Sequence, residues 1–184
     1  MRTIARALAV ASLLAGSALG LASPASADQV MEGVYTYNQP GQPAATWTIY
    51  PICVNVVGDL REPLYLPVAC TLNVTSSTND LTTHALSVQN FGGAARLTGF
   101  KWTFTTTKRE GLECPDGSKA PTQETYVFDD VTLTGTHTVA HNAVCGLRPG
   151  LTKEPFTLTF DKPLPIPAER YPLQCEPGGL RLCR

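Results

Sequence analysis

The sequence is short of charge, short of histidine and without helical patterning. Lysine and arginine number 14 and aspartate and glutamate 15 among 184 residues, so charged side chains make up only 16% and nearly cancel. A nucleic-acid binder that works by neutralising phosphates needs a basic excess, which excludes that class. No Gly-x-Ser-x-Gly elbow, His-Glu-x-x-His motif or glycine-rich phosphate loop is present. The best-marked serine hydrolases, zinc proteases and nucleotide binders fall with them. No two cysteines stand closer than Cys175 and Cys183, so the tight cysteine pairs of zinc sites are missing. No cofactor and no metal is expected.

Hydrophobic residues make up 43% of the chain, too many for a disordered polymer. The first of them are set apart. Arg2 and Arg6 precede an uncharged, small and apolar run from Ala7 to Leu21, and Ala25-Ser26-Ala27 follows Pro24. This is the pattern of a secretory signal at residues 1–27, cut between Ala27 and Asp28. The apolar run is shorter than the roughly 20 residues a spanning helix needs. Arg2 and Arg6 are not adjacent, which argues against twin-arginine export. The rest of the chain has no second long apolar stretch, so no membrane span is expected after cleavage, and a secreted or cell-envelope location follows.

All six cysteines, Cys53, Cys70, Cys114, Cys145, Cys175 and Cys183, lie beyond the cleavage point. An even count in an exported chain implies disulfides. Short separations close most readily, which favours Cys53–Cys70, Cys114–Cys145 and Cys175–Cys183. Each bridge is expected to contribute about 2.5–4 kcal/mol by restricting the unfolded chain.

Between these cysteines the sequence alternates. Gly33-Val-Tyr-Thr-Tyr-Asn38, Thr46 to Val54, Leu66 to Val74, Glu124 to Asp129, Val131 to His141 and Phe156 to Asp161 read as short strands. In the run from Phe100 to Thr107, Phe100, Trp102 and Phe104 share one face. His84 to Val88 reads as a further short strand. Pro51 suggests an edge or a bulge. Phe91-Gly-Gly and the stretch from Lys108 to Thr122 read as turn and loop, with Lys108-Arg109-Glu110 as a solvated tip. About eight short strands imply an all-β fold, an antiparallel sandwich or barrel braced by disulfides. The β domain is assigned to 28–162. A proline-rich C-terminal arm, 163–184, is expected to wrap it and to be closed by a disulfide.

The segments Gly33-Val-Tyr-Thr-Tyr, Trp47-Thr-Ile-Tyr-Pro-Ile-Cys53, Gly99-Phe-Lys-Trp-Thr-Phe104, Cys114-Pro-Asp-Gly117 and Tyr126-Val-Phe-Asp129 resemble a set of small secreted, disulfide-containing proteins of mycobacteria and related actinobacteria. The resemblance implies secretion and disulfides. It implies no activity and no catalytic residues.

Candidate binding residues are few. His137 and His141 would share a face of one strand but stand about 13 Å apart, too far to share an ion. Asp129 and Asp130 are adjacent, so in a strand they face opposite ways, and a turn accounts for them. The chain therefore reads as a secreted, non-catalytic binding protein whose partner is a protein, a lipid or a glycan. The alternatives are a lipocalin-like carrier of an apolar small molecule and a hydrolase using His137 or His141 with Asp129. N-terminal sequencing of the exported protein is expected to begin at Asp28; a mature form that keeps Met1 would refute the signal.

Overall fold

A computed structural model describes residues 30–54, 56–57, 63–64, 66–78 and 90–172. The assigned signal, the strand at 84–88 with His84, and Cys175 and Cys183 lie outside the described residues.

The fold is all-β. Eight strands form a closed antiparallel barrel: β1 (Gly33–Asn38), β2 (Ala45–Cys53), β5 (Cys70–Ser77), β6 (Phe91–Thr98), β7 (Lys101–Glu113), β8 (Lys119–Phe128), β9 (Thr134–His141) and β10 (Gly150–Lys162). A two-stranded ribbon, β3 (Val56–Val57) with β4 (Pro63–Leu64), and a 3₁₀ turn at Pro67–Ala69 are inserted between β2 and β5. Each barrel strand pairs with its neighbour in the barrel's chain order, and β1 closes on β10 through pairs such as Thr36↔Thr159. Of the two architectures left open by alternation, the structure is the barrel. Closure leaves no unpaired sheet edge in it.

Alternation follows directly from the pleat. Along β2, Ala45, Trp47, Ile49, Pro51 and Cys53 point inward and are buried, while the residues between them are more open. The outer face of β7 to β10 is instead rich in threonine, as at Thr103, Thr105, Thr136, Thr138, Thr157 and Thr159. It lacks the apolar band of a lipid-facing barrel.

The lumen is packed with rings. Trp47, Ile49, Leu72, Ala95, Trp102 and Phe128 have no exposed surface. Trp47 stacks on Tyr37 at 4.8 Å and meets Phe104, Tyr126 and Phe128 edge-on. Two inward glycines make room for this. A Cβ on Gly93 would lie 2.2 Å from the Phe104 ring, and one on Gly135 would lie 2.4 Å from Phe156 and 2.6 Å from the Val127 carbonyl.

Several boundaries differ from the sequence reading. Phe91-Gly-Gly opens strand β6 instead of forming a turn, because Gly93 faces the lumen opposite Phe104. The loop read over Lys108 to Thr122 is two strands and a short turn: β7 runs to Glu113, β8 starts at Lys119, and Leu112 pairs with Ala120. Polar residues on the inner face concealed that alternation. Phe100 does not join Trp102 and Phe104 on one face. It sits with Gly99 in the two-residue turn between Thr98 and Lys101, both with positive φ (61° and 56°), and is exposed. Strand β9 begins at Thr134, since Asp129 to Leu133 form the turn before it.

Pro51 lies on a stretch of β2 that is locally an edge, as expected from the proline. Cys53 N donates to Arg170 O, so its backbone points away from β5, and by the two-residue period so does that of Pro51. Pairing with β1 has already ended at Ile49, so the missing N–H interrupts no ladder.

The end of the barrel carrying Cys53–Cys70 is closed. Val30 and Met31 are buried there, and Tyr171 packs against the core. The described part of the arm is held by Glu32, whose carboxylate accepts from Ala168 N and from the Arg170 guanidinium. At the other end Cys114–Cys145 ties the β7–β8 turn to the β9–β10 connection. Gly135→Ala is expected to lower stability by about 1–3 kcal/mol, the usual cost of overpacking a filled core, read as a lower urea midpoint with an unchanged slope.

Candidate functional site

The site is built where inward positions of three adjacent strands are polar. Lys108 on β7, Glu124 on β8 and His137 on β9 face the lumen in the half of the barrel away from Cys53–Cys70. All three are buried, with side-chain exposures of 6%, 3% and 10%. A register shift between Lys108 and Leu112 contains Gly111, where a Cβ would fall 1.8 Å from Thr122 Oγ1. Only glycine allows β7 to lie this close to Thr122.

Glu124 is the hub. Its Oε2 accepts from Lys108 Nζ, His137 Nε2 and the Tyr126 hydroxyl, each at 2.8 Å. Its Oε1 accepts from Thr122 Oγ1 at 3.2 Å. On its other side the His137 ring meets Gln39: Nδ1 lies 2.9 Å from Oε1, which also accepts from Tyr37 OH. The imidazole stacks flat on Tyr126 with centroids 4.2 Å apart. Lys108 Nζ lies 4.6 Å from the centre of the Phe91 ring, a cation–π distance.

The electrostatics follow from this packing. Burial alone would raise the Glu124 carboxyl, but the hydrogen bond from His137, the charge and hydrogen bond of Lys108, and the Tyr126 hydroxyl outweigh it and hold it at about 2. Burial lowers the Lys108 ammonium, against the opposite pull of Glu124. Tyr126 and Tyr37 are both pushed up, first by burial and then by the Glu124 charge. The carboxylate thus stays ionised across the neutral range, with its charge shared among donors.

Above this cluster is a cavity of about 250 Å³. Tyr37, Pro43, Ala45, Phe91 and Val139 supply apolar wall, and Ser76, Lys108, Glu124 and His137 supply polar atoms. Glu154 and Gln42 also line it. Below lies the ring-packed core.

Of the residues singled out from sequence, His137 is in this site. His141 is on the same strand face but further along it, and its Nδ1–H donates to Asn142 O at 2.9 Å. Asp129 and Asp130 are at the opposite end. Asp129 accepts from Lys101 at 2.7 Å and from the backbone N–H of Val131 and Thr132, which makes it the organiser of a turn. The Lys101 hydrogen bond and then the turn N–H of Thr132 hold its carboxyl well below the usual range. Asp130 accepts from Trp102 Nε1 at 3.0 Å. The carboxylate that His137 meets is Glu124. Lys108 is not a solvated loop tip, since β7 continues past Thr107 and carries it inside. Among the described residues no three His, Cys, Asp or Glu side chains gather as a metal-ligand set.

Lys108 and Glu124 were missed on sequence although a signal existed. Trp102, Phe104, Thr106 and Lys108 share one phase, as do Thr122, Glu124, Tyr126 and Phe128. Continuing each alternation by two residues places both charges on the core face.

Comparisons with protein-family models, with curated proteins and with solved structures found no match to this chain.

The depressed Glu124 carboxyl ties stability to acid. Its value falls from an ordinary 4.5 to about 2 on folding. The stabilisation is therefore fully present above the unfolded value and is lost as pH drops through the folded one. Unfolding titrations from pH 5 to pH 2 are expected to show this loss, and Glu124→Gln to flatten it. At pH 7 that variant should be less stable by about 3–5 kcal/mol, as when one partner of a buried ion pair is removed.

Proposed function

We propose that this protein is an exported binding barrel that holds a small organic molecule in the hollow end of its lumen and does not turn it over. The observation that carries this reading is the cavity of about 250 Å³, walled by Tyr37, Phe91, Pro43 and Val139 and floored by a buried hydrogen-bonded cluster. Small-molecule sites have this composition: mostly apolar wall with a few placed polar groups. An up-and-down barrel of eight strands has an interior wide enough for one small ligand, the lipocalin-like architecture. The filled lower half supports a compact ligand over a long acyl chain. The two disulfides support an oxidising, extracellular setting.

The binding reading is favoured over hydrolysis by the way His137 is used. Its two ring nitrogens meet Glu124 and Gln39, and among the described residues no serine, threonine or cysteine is hydrogen-bonded to it. A histidine that activates a nucleophile has that nucleophile on one nitrogen.

Backbone amide shifts recorded with single-ring aromatic probes test the proposal. The perturbed residues are expected to cluster on Tyr37, Ala45, Phe91, Tyr126 and His137. Val139→Trp, which fills the cavity from its wall, should abolish the response and leave the fold intact. Shifts confined to the outer surface would refute it.

A further inference from the structure

The cavity's polar atoms are unbalanced, and the imbalance defines a ligand. Away from the exposed rim formed by Gln42, Thr152 and Glu154, acceptors are engaged: Glu124 through both oxygens, and Gln39 Oε1 by Tyr37 with His137 beside it. Donors are left over. The Lys108 ammonium has three N–H groups. One is directed to Glu124, and the ring of Phe91 faces the same nitrogen. Ser76 carries the second, independent observation. It lines the cavity, is 3% exposed, and its hydroxyl has no hydrogen-bond partner. A buried hydroxyl without a partner costs free energy that an incoming acceptor would recover. The other buried polar side-chain atom without a partner among the described residues, Trp47 Nε1, does not share this setting. Trp47 is not among the cavity's lining residues and is surrounded by ring edges and faces.

Charge narrows the choice of acceptor. Lys108 is already paired with Glu124, and a second carboxylate, that of Glu154, also lines the cavity. An anion would enter against that carboxylate. A cation would compete with Lys108 for Glu124. A neutral acceptor meets neither objection.

Resting on the binding reading above, we infer that the ligand class is an uncharged ring compound bearing a carbonyl oxygen, such as a ketone, aldehyde or amide. Its oxygen accepts from Ser76 and Lys108, and its ring lies against Tyr37 and Phe91. The cavity volume of about 250 Å³ suits one ring with a short substituent.

Four probes of nearly constant shape test this by calorimetry or amide shifts: acetophenone, ethylbenzene, benzoate and benzylamine. Acetophenone is expected to bind tightest, and ethylbenzene, lacking the acceptor, about tenfold more weakly, the worth of one to two hydrogen bonds. Ser76→Ala removes a group that bonds to nothing, so it should fold as the parent does. It is expected to weaken acetophenone about threefold to tenfold and to leave ethylbenzene unchanged. Equal binding of ethylbenzene and acetophenone, or tighter binding of benzoate or benzylamine, would overturn the carbonyl assignment and leave the binding site standing. Binding of none of the four would overturn both.

Discussion

The structure depends on one buried carboxylate. Glu124 lies inside a closed barrel whose other contents are largely aromatic, and an ion there is tolerated only when it is paired and hydrogen-bonded. Lys108, His137, Tyr126 and Thr122 meet that demand from three adjacent strands. To do so, β7, β8 and β9 must keep a common register. The pairs Lys108↔Thr122 and Tyr126↔His137 are that register. A slip of one residue in any of the three would turn its polar residue to solvent and leave the others unpaired.

The aromatic packing supports the same arrangement. Tyr126 belongs to both halves: its ring stacks between Phe104 and His137 environments, and its hydroxyl reaches Glu124. The dry half, with Trp47, Phe104, Phe128 and Phe156, fills its space so completely that Gly93 and Gly135 have none for a methyl group. The wet half cannot be filled the same way, because its inward side chains are polar and must be satisfied. A cavity at one end is the consequence of that division. Cys53–Cys70, the Glu32–Arg170 contact and the buried Val30 and Met31 close the other end.

Much of the fold was legible. Alternation at Gly33–Asn38, at Thr46 to Val54 and at Glu124 to Asp129 identified strands that exist, and the short separations of Cys53 from Cys70 and of Cys114 from Cys145 identified bridges that form. Two of the errors share a cause. Phe91-Gly-Gly and Lys108 to Thr122 look like turns because glycine and charge are rarely core residues. In this barrel the glycines yield space to rings, and the charges face one another. His137 was visible as a candidate from its phase alone. Its partner was sought at Asp129, nearby in sequence, whereas Glu124 meets it across the β8–β9 ladder.

The amino-acid sequence by itself determined the all-β class, the strand-forming segments and the oxidising chemistry of the cysteines. These rest on local periodicity and on composition, which need no knowledge of what lies across the sheet. Only the tertiary structure decided that the sheet closes into a barrel, that Lys108, Glu124 and His137 converge, and that one end stays hollow. Those features arise from pairing between strands and from the volume left after side chains pack. Neither is encoded in the spacing of residues along any one strand.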